Sequence, residues 1–337
     1  MAVAWQSSSA TALAQRGFLR SQAIQEAVRG LQAAITSGGG VLLLGEPGTG
    51  RELFARAIHR ASDDDRDHSV ERLLLDADRS PLPARPFVVV DCMWGAEVEE
   101  ALFGCEADRS GSTGHDLDRI AESSRLHRAL GGTLLLRRVT EMPRHAQSRL
   151  ARILQDGEVQ VHSTKRVPWT TRVRVRVMAT VDPHPHNHVD GRLHPELLKR
   201  LSTTRIRLPA LRERREDIPA LLRHLIARLC TTLNAPSKTA SGQVIELLTA
   251  LPWRRNLDEL EELLKVLVAE VPGRLIRLSD VLAKLRLDDR ASVFVYSGTL
   301  REARARFERE YVAHVLEQHH GRIGAAAEAL GIQRTNL

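Results

Sequence analysis

The chain has no run approaching about 20 consecutive apolar residues, so its sequence offers no membrane-spanning helix. Residues 1–14 lack the charged and apolar blocks of a signal peptide, and a cytoplasmic location is expected. Cysteine is scarce. Cys92, Cys105 and Cys230 are too few and too scattered for a disulfide framework or a zinc site. No internal repeat is evident, and no Ser-His-Asp or Cys-His arrangement emerges from spacing. What is present is ordinary for a globular protein: 337 residues, 42% hydrophobic and 27% charged, enough for two or three compact units. The net charge of +7, carried almost wholly by arginine, is compatible with a polyanionic partner but does not establish one.

Residues 1–17 are small and polar and read as a loose arm. Ala23, Ile24, Ala27, Val28, Leu31 and Ala34 recur at helical spacing and predict a helix over 21–35. Gly38-Gly39-Gly40 ends it and leads into an apolar strand over 41–44, then a helix over 52–60. From Asp63 to Pro83 the chain reads as a charged, proline-closed surface insertion. Beyond it the pattern predicts a strand over 87–90, helices over 97–103 and 118–129, a strand over 133–136, a helix over 146–155 and a strand over 173–180. Such alternation implies an α/β domain over 18–209, a parallel sheet with helices on both faces. After Leu208-Pro209 the pattern turns helical, over 218–233, 241–251, 256–271 and 278–285, as a separate small domain over 210–285. A linker over 286–298 and a last helical unit over 299–337 complete the chain.

The turn after strand 41–44 reads Gly45-Glu46-Pro47-Gly48-Thr49-Gly50. A strand, a glycine-rich turn and a helix set backbone N–H groups and a helix N-terminus around an anion. Gly45 through Glu52 is therefore a candidate nucleotide-phosphate cradle, with a plain glycine turn as the alternative. The usual phosphate loop ends in lysine and a hydroxyl residue, whereas this one ends in Arg51 and Glu52. Arg51 stays cationic, but its planar fork is wider than an ammonium, so the normal γ-phosphate geometry is not expected. Downstream, Gly131-Gly132-Thr133-Leu134-Leu135-Leu136 is a buried-strand signature that runs into Arg137-Arg138.

Several longer motifs occur in order: Leu102-Phe103-Gly104, Gly131-Gly132-Thr133, Glu141-Met142-Pro143, Leu208 through Arg214, Glu216-Asp217-Ile218, and Trp253 with Asn256. Together they resemble the AAA+ domain of sigma-54-dependent transcription activators (bacterial enhancer-binding proteins) over roughly 18–285. The C-terminus resembles their Fis-type helix-turn-helix. The resemblance implies an AAA+ P-loop parallel sheet sandwiched by helices, then a helical lid and a helix-turn-helix, in a ring-forming ATPase that remodels sigma-54 RNA polymerase. It also marks where this chain departs from the pattern. The loop lysine falls on Arg51, and the metal-binding and water-polarising acids fall on Arg137 and Arg138. The asparagine that restrains the catalytic acid falls on Asp91, and the sensor asparagine on Asp182. Of two arginine fingers, the first falls on His194 and the second is kept as Arg200. The lid's sensor arginine falls on Asp258. The polymerase-contacting loop survives only as Ser110-Gly111-Ser112-Thr113-Gly114-His115.

Hydrolysis needs one carboxylate to hold magnesium and another to orient water, and a guanidinium can do neither. No catalytic set is intact, and the expectation is a pseudo-ATPase that could take ATP or ADP but lacks the means to hold Mg2+. Two acids have become bases at 137 and 138, while 91, 182 and 258 have become acids. The resemblance places Asp91 and Asp182 on strands flanking the one that carries Arg137, so Arg137 or Arg138 is expected to pair with Asp91 or Asp182. The alternative is that Arg137 and Arg138 neutralise bound phosphates in place of magnesium. A functional ATP-hydrolysing activator of sigma-54 RNA polymerase that tolerates these changes is the alternative for the whole chain.

In the last unit Ala303, Phe307, Tyr311, Val312, Val315 and Leu316 share one face of a helix over 301–318. His320-Gly321 breaks it, 323–330 is a short alanine-rich helix, and Gly331-Ile332 is a turn into Gln333, Arg334, Thr335 and Asn336. Those four residues are the candidate DNA contacts, being types that meet base edges and phosphates. A recognition helix of only these residues is marginal, so the unit reads as truncated. The expected partners are DNA and sigma-54 RNA polymerase or an active AAA+ paralogue, in a homo- or hetero-oligomer, with no membrane. The histidine-rich run from Pro183 to His188 is read as a polar loop rather than a metal site. Trp94, Trp169 and Trp253 are read as packing residues.

Overall fold

A computed structural model describes residues 20–61, 85–93, 95–104, 117–163, 167–182 and 189–288. The N-terminal arm, the charged insertion, Trp94, Cys105, the loop 110–115, the histidine run 183–188 and the whole unit 299–337 lie outside the described residues. The chain divides into a compact unit over residues 1–281 and a second over residues 282–337.

Ser21 caps helix α1 (Gln22–Ser37) by accepting the Ile24 amide at 3.4 Å, and Gly38 closes it in the left-handed region. Strand β1 (Val41–Leu44), the glycine loop and helix α2 (Arg51–Ala61) follow. Then come β2 (Phe87–Asp91), α3 (Gly95–Phe103), β3 (Arg119–Ala121), α4 (Arg125–Arg128), β4 (Thr133–Arg137) and α5 (Arg144–Asp156). The domain continues with β5 (Glu158–His162), β6 (Trp169–Arg172), β7 (Arg176–Val181), α6 (Val189–Arg192), α7 (Pro195–Leu201) and β8 (Thr204–Arg207). The helical part holds α8 (Ile218–Thr232), β9 (Thr239–Ala240), α9 (Gly242–Ala250), α10 (Asn256–Glu270), β10 (Leu275–Ile276) and α11 (Leu278–Asp288).

The main sheet is parallel throughout, in the order β2-β4-β7-β1-β8. Its central strands β4, β7 and β1 are buried on both sides, as a sheet covered on two faces requires. Val41, Leu43, Leu135 and Met178 point into one core with Ile24, Leu31, Phe54 and Ile58 of α1 and α2. Leu42, Leu134, Leu136, Val177 and Ala179 point into the other with Val98 and Leu102 of α3, Leu150 of α5 and Leu197 of α7. Gly132 closes in on this sheet so tightly that a Cβ there would meet the Pro86 carbonyl at 2.0 Å.

Three expectations are corrected. The helix over 118–129 is instead β3, a turn and the short α4. Ile120 is buried and paired with Val161 of β5, and Ser124 starts α4 as its cap, so period-two burial wins over helical spacing. The stretch between α5 and the strand expected at 173 holds two strands, β5 and β6, which pair antiparallel and join β3 in a small second sheet. Helix α11 continues to Asp288, into the expected linker. Trp253 is buried and donates its indole N–H to the Leu248 carbonyl at 2.7 Å, and Trp169 packs against the core that holds Leu42 and Leu134. No described helix is long and apolar enough to cross a membrane.

Candidate functional site

In open parallel sheets a ligand crevice lies beyond the carboxyl ends of the strands. Here those ends deliver the glycine loop from β1, Asp182 from β7, Arg137 and Arg138 from β4, and Asp91 from β2.

One side of the glycine loop is held by the helical part of the unit. Gly48 sits at φ 76°, and a Cβ there would meet the Arg255 carbonyl at 2.1 Å and Asp258 Oδ2 at 3.1 Å. The Leu257 amide donates to the Gly48 carbonyl at 3.0 Å. Asn256, fully buried, accepts the Leu211 amide at 2.7 Å and donates to the Pro47 carbonyl at 2.9 Å and Glu46 Oε2 at 3.1 Å. Arg212 adds a bond to Glu46 Oε2 at 2.8 Å, and this guanidinium holds the Glu46 carboxyl below its ordinary range. Arg214, buried and with its pKa lowered by that burial, donates to the Thr49 carbonyl at 3.3 Å. The carbonyls of Pro47, Gly48 and Thr49 are thus bonded from the lid side. Among the described residues the amides of Gly48, Gly50, Arg51 and Glu52 have no backbone partner.

On the other side lie the exchanged charges. Arg138 grips Asp91 with both ends of its fork, Nε to Oδ1 at 3.1 Å and Nη2 to Oδ2. Its backbone is left-handed at φ 53°, anchored by its amide to Thr180 Oγ1 at 3.0 Å. Arg51 turns to β7, donating to the Val181 carbonyl at 2.9 Å and to Asp182 Oδ1. Its side chain is only 11% exposed. Arg137 is 46% exposed and reaches Glu52 Oε2 at 3.8 Å and Asp91 Oδ2 at 3.9 Å, both beyond hydrogen-bond range. Glu52 is itself held by Arg56 at 2.8 and 3.1 Å.

The expected pairing of a β4 arginine with a flanking acid is therefore present as Arg138–Asp91. The Arg51–Asp182 pair was not foreseen, although a signal existed in the motif positions. The resemblance puts Arg51 at the base of the loop after one strand and Asp182 after another, and sheet order β7-β1 makes those ends neighbours.

The remaining candidates are dispersed. His194 precedes α7, and its amide donates to Gln147 Oε1 at 2.7 Å. Arg200 lies exposed on α7, with its carbonyl packed over Gly40. Neither makes a contact with the exchanged charges among the described residues. Asp258 leans over Gly48, with its pKa raised by burial and by Glu261 and Glu262, against the pull of Arg255 and Arg137. Cys92 is buried, with its thiol pushed up to about 12 by burial, which leaves it protonated and unreactive. Among the described residues no cluster of three or more His, Cys, Asp and Glu is placed to hold a metal ion. Gln333, Arg334, Thr335 and Asn336 lie outside the described residues.

With this geometry stand three matches to known families. Residues 18–207, more than half the chain, match the Sigma-54 interaction domain. The chain belongs to the sigma-54-dependent activator family. Residues 212–293 match the AAA+ ATPase lid domain, and residues 303–337 match the Bacterial regulatory protein, Fis family. Among its relatives in this activator family is the DNA-binding transcriptional regulator NtrC of Salmonella typhimurium, 31% identical over 341 residues, 94% of this chain and 67% of that one. The Phenol regulator MopR of Acinetobacter guillouiae is 32% identical over 326 residues, 91% of this chain and 52% of that one. The crystal structure of NtrX from Brucella abortus in complex with ADP matches with a TM-score of 0.60 at 25% identity, over 98% of this chain and 70% of that one. The chain thus spans between about half and 70% of the length of these relatives.

Proposed function

We propose that this chain is a DNA-binding transcription regulator of the sigma-54 activator type whose AAA+ domain keeps the nucleotide scaffold without hydrolysing ATP. The observation that carries this reading is the pairing of exchanged charges, Arg138 with Asp91 and Arg51 with Asp182, at the strand ends beside the loop. Magnesium does not fit there. Asp91, Asp182 and Glu52 are each bound to a guanidinium, and the β4 end offers Arg137 and Arg138 in place of carboxylates. The nucleotide itself fits better, because the open amides of Gly48, Gly50, Arg51 and Glu52 form an anion cradle. The ADP complex of the related NtrX supports ATP or ADP as the ligand class.

In this reading Gln333, Arg334, Thr335 and Asn336 supply the DNA contacts. The chain joins sigma-54 RNA polymerase or an active AAA+ paralogue as part of a homo- or hetero-oligomer, to which Arg200 contributes the one retained finger. Steady-state phosphate release from Mg-ATP is the test. The expected result is turnover at background; turnover clearly above it sinks the proposal.

A further inference from the structure

Arg137 differs from the other arginines of the site. Arg138 spends its fork on Asp91, and Arg51 is directed at Val181 and Asp182. Arg137 has only two contacts near 4 Å, and each acid it approaches is already held by another guanidinium, Asp91 by Arg138 and Glu52 by Arg56. Among the described residues its N–H edge has no hydrogen-bonded acceptor. The Glu52 carboxylate at the start of α2 lies 3.8 Å away and Asp91 lies 3.9 Å away. Arg137 therefore stands beside the helix end of the open-amide loop.

We infer that this site binds a nucleoside diphosphate or triphosphate without magnesium, with Arg137 supplying the counter-charge that a metal ion would otherwise provide. The inference rests on the reading of the site as non-hydrolytic. A guanidinium meets phosphate oxygens with two parallel N–H bonds and carries its charge at every working pH. A metal ion bound to the same oxygens would compete with Arg137 and meet it as a like charge. The metal-free polyphosphate is therefore the preferred form. Asp258 opposes binding, since its carboxylate overhangs the loop, and its removal strengthens the complex.

The test is titration calorimetry of the full chain with ADP, once in EDTA and once in excess Mg2+. Binding is expected in EDTA, with weaker affinity in Mg2+, and equal or tighter binding in Mg2+ would count against the inference. Arg137→Ala weakens metal-free binding by about tenfold or more, and Arg137→Lys by less, since an ammonium keeps the charge but loses the fork. Asp258→Asn tightens it. Pyrophosphate is expected to compete and adenosine is not, as the phosphates carry the recognition. Arg137 is half exposed, so its variants are expected to fold, with a circular-dichroism melt as the check. Binding only in the presence of Mg2+, no binding in EDTA, or unchanged affinity in a folded Arg137→Ala would overturn the inference. These outcomes are separate from Mg-ATP turnover, which tests the non-hydrolytic reading alone.

Discussion

Asp91 and Arg138 are each about 30% exposed and bonded through both ends of the guanidinium fork. A charge-assisted pair in such surroundings is worth more than a surface ion pair, and breaking one side leaves the other partner desolvated and alone. Arg138→Glu sets a carboxylate against Asp91 and is expected to cost about 2–3 kcal/mol. Adding Asp91→Asn to it returns a large part of that loss. Denaturant unfolding of both singles and the double measures the coupling, and strictly additive effects would refute the pairing as a compensation. Asp258 makes the opposite case. Its place in the first turn of α10 favours a carboxylate, yet burial and the neighbouring Glu261 and Glu262 outweigh that and raise its pKa above 3.8. A raised carboxyl pKa means the folded state binds the proton more tightly, so stability falls as pH rises from 3.8 through the folded value. Asp258→Asn is thus expected to stabilise at pH 7 by roughly a few tenths of a kcal/mol after solvent screening. The gain should shrink through the acid range and vanish below 3.8, as read by unfolding at several pH values.

At the scale of elements, the contact that organises the site is between a loop and a helix start. The first turn of α10 accounts for the carbonyls of Pro47 and Gly48 and one oxygen of Glu46, and most of this passes through the Asn256 side chain. Asn256 is also in the left-handed region at φ 55°, which asparagine tolerates better than most residues. Asn256→Ala leaves the Leu211 amide buried without its acceptor and strains the backbone. The expected cost is about 2–4 kcal/mol, seen as a lower midpoint in thermal unfolding. A cost below about 0.5 kcal/mol would mean that the loop and lid do not depend on this residue.

At the scale of the whole molecule, the residues that make the fold and those that would do chemistry are different sets. The two cores flanking the sheet are built from apolar side chains, and the exchanged charges sit at the strand ends, outside both cores. Charge changes there lie outside the packed cores, so the scaffold does not depend on which charges the strand ends carry. The turnover test should resist single reversals. Arg137→Asp alone returns one carboxylate beside Asp91 and Glu52, while Arg51, Asp182, Arg138 and Asp258 stay as they are, and phosphate release is expected to remain at background.

The order of strands and helices, the glycine loop and the family were legible in the sequence, because apolar periodicity and glycine spacing are local signals. That a β4 arginine would meet Asp91 or Asp182 was also legible, since adjacent parallel strands bring their ends together. The small sheet was not. Ile120 carries a burial pattern equally at home in a helix, and only the arrival of Val161 beside it decides for a strand. Nor could the sequence decide which arginine takes which acid. Arg51 lies 131 positions from Asp182, and the order β7-β1 alone puts them together. The sequence by itself determined which charged residues this site carries, with arginines at 51, 137 and 138 and acids at 91, 182 and 258. Tertiary structure decided that Arg51 and Arg138 are consumed by the exchange and Arg137 is left over, because partner choice depends on which strand ends touch.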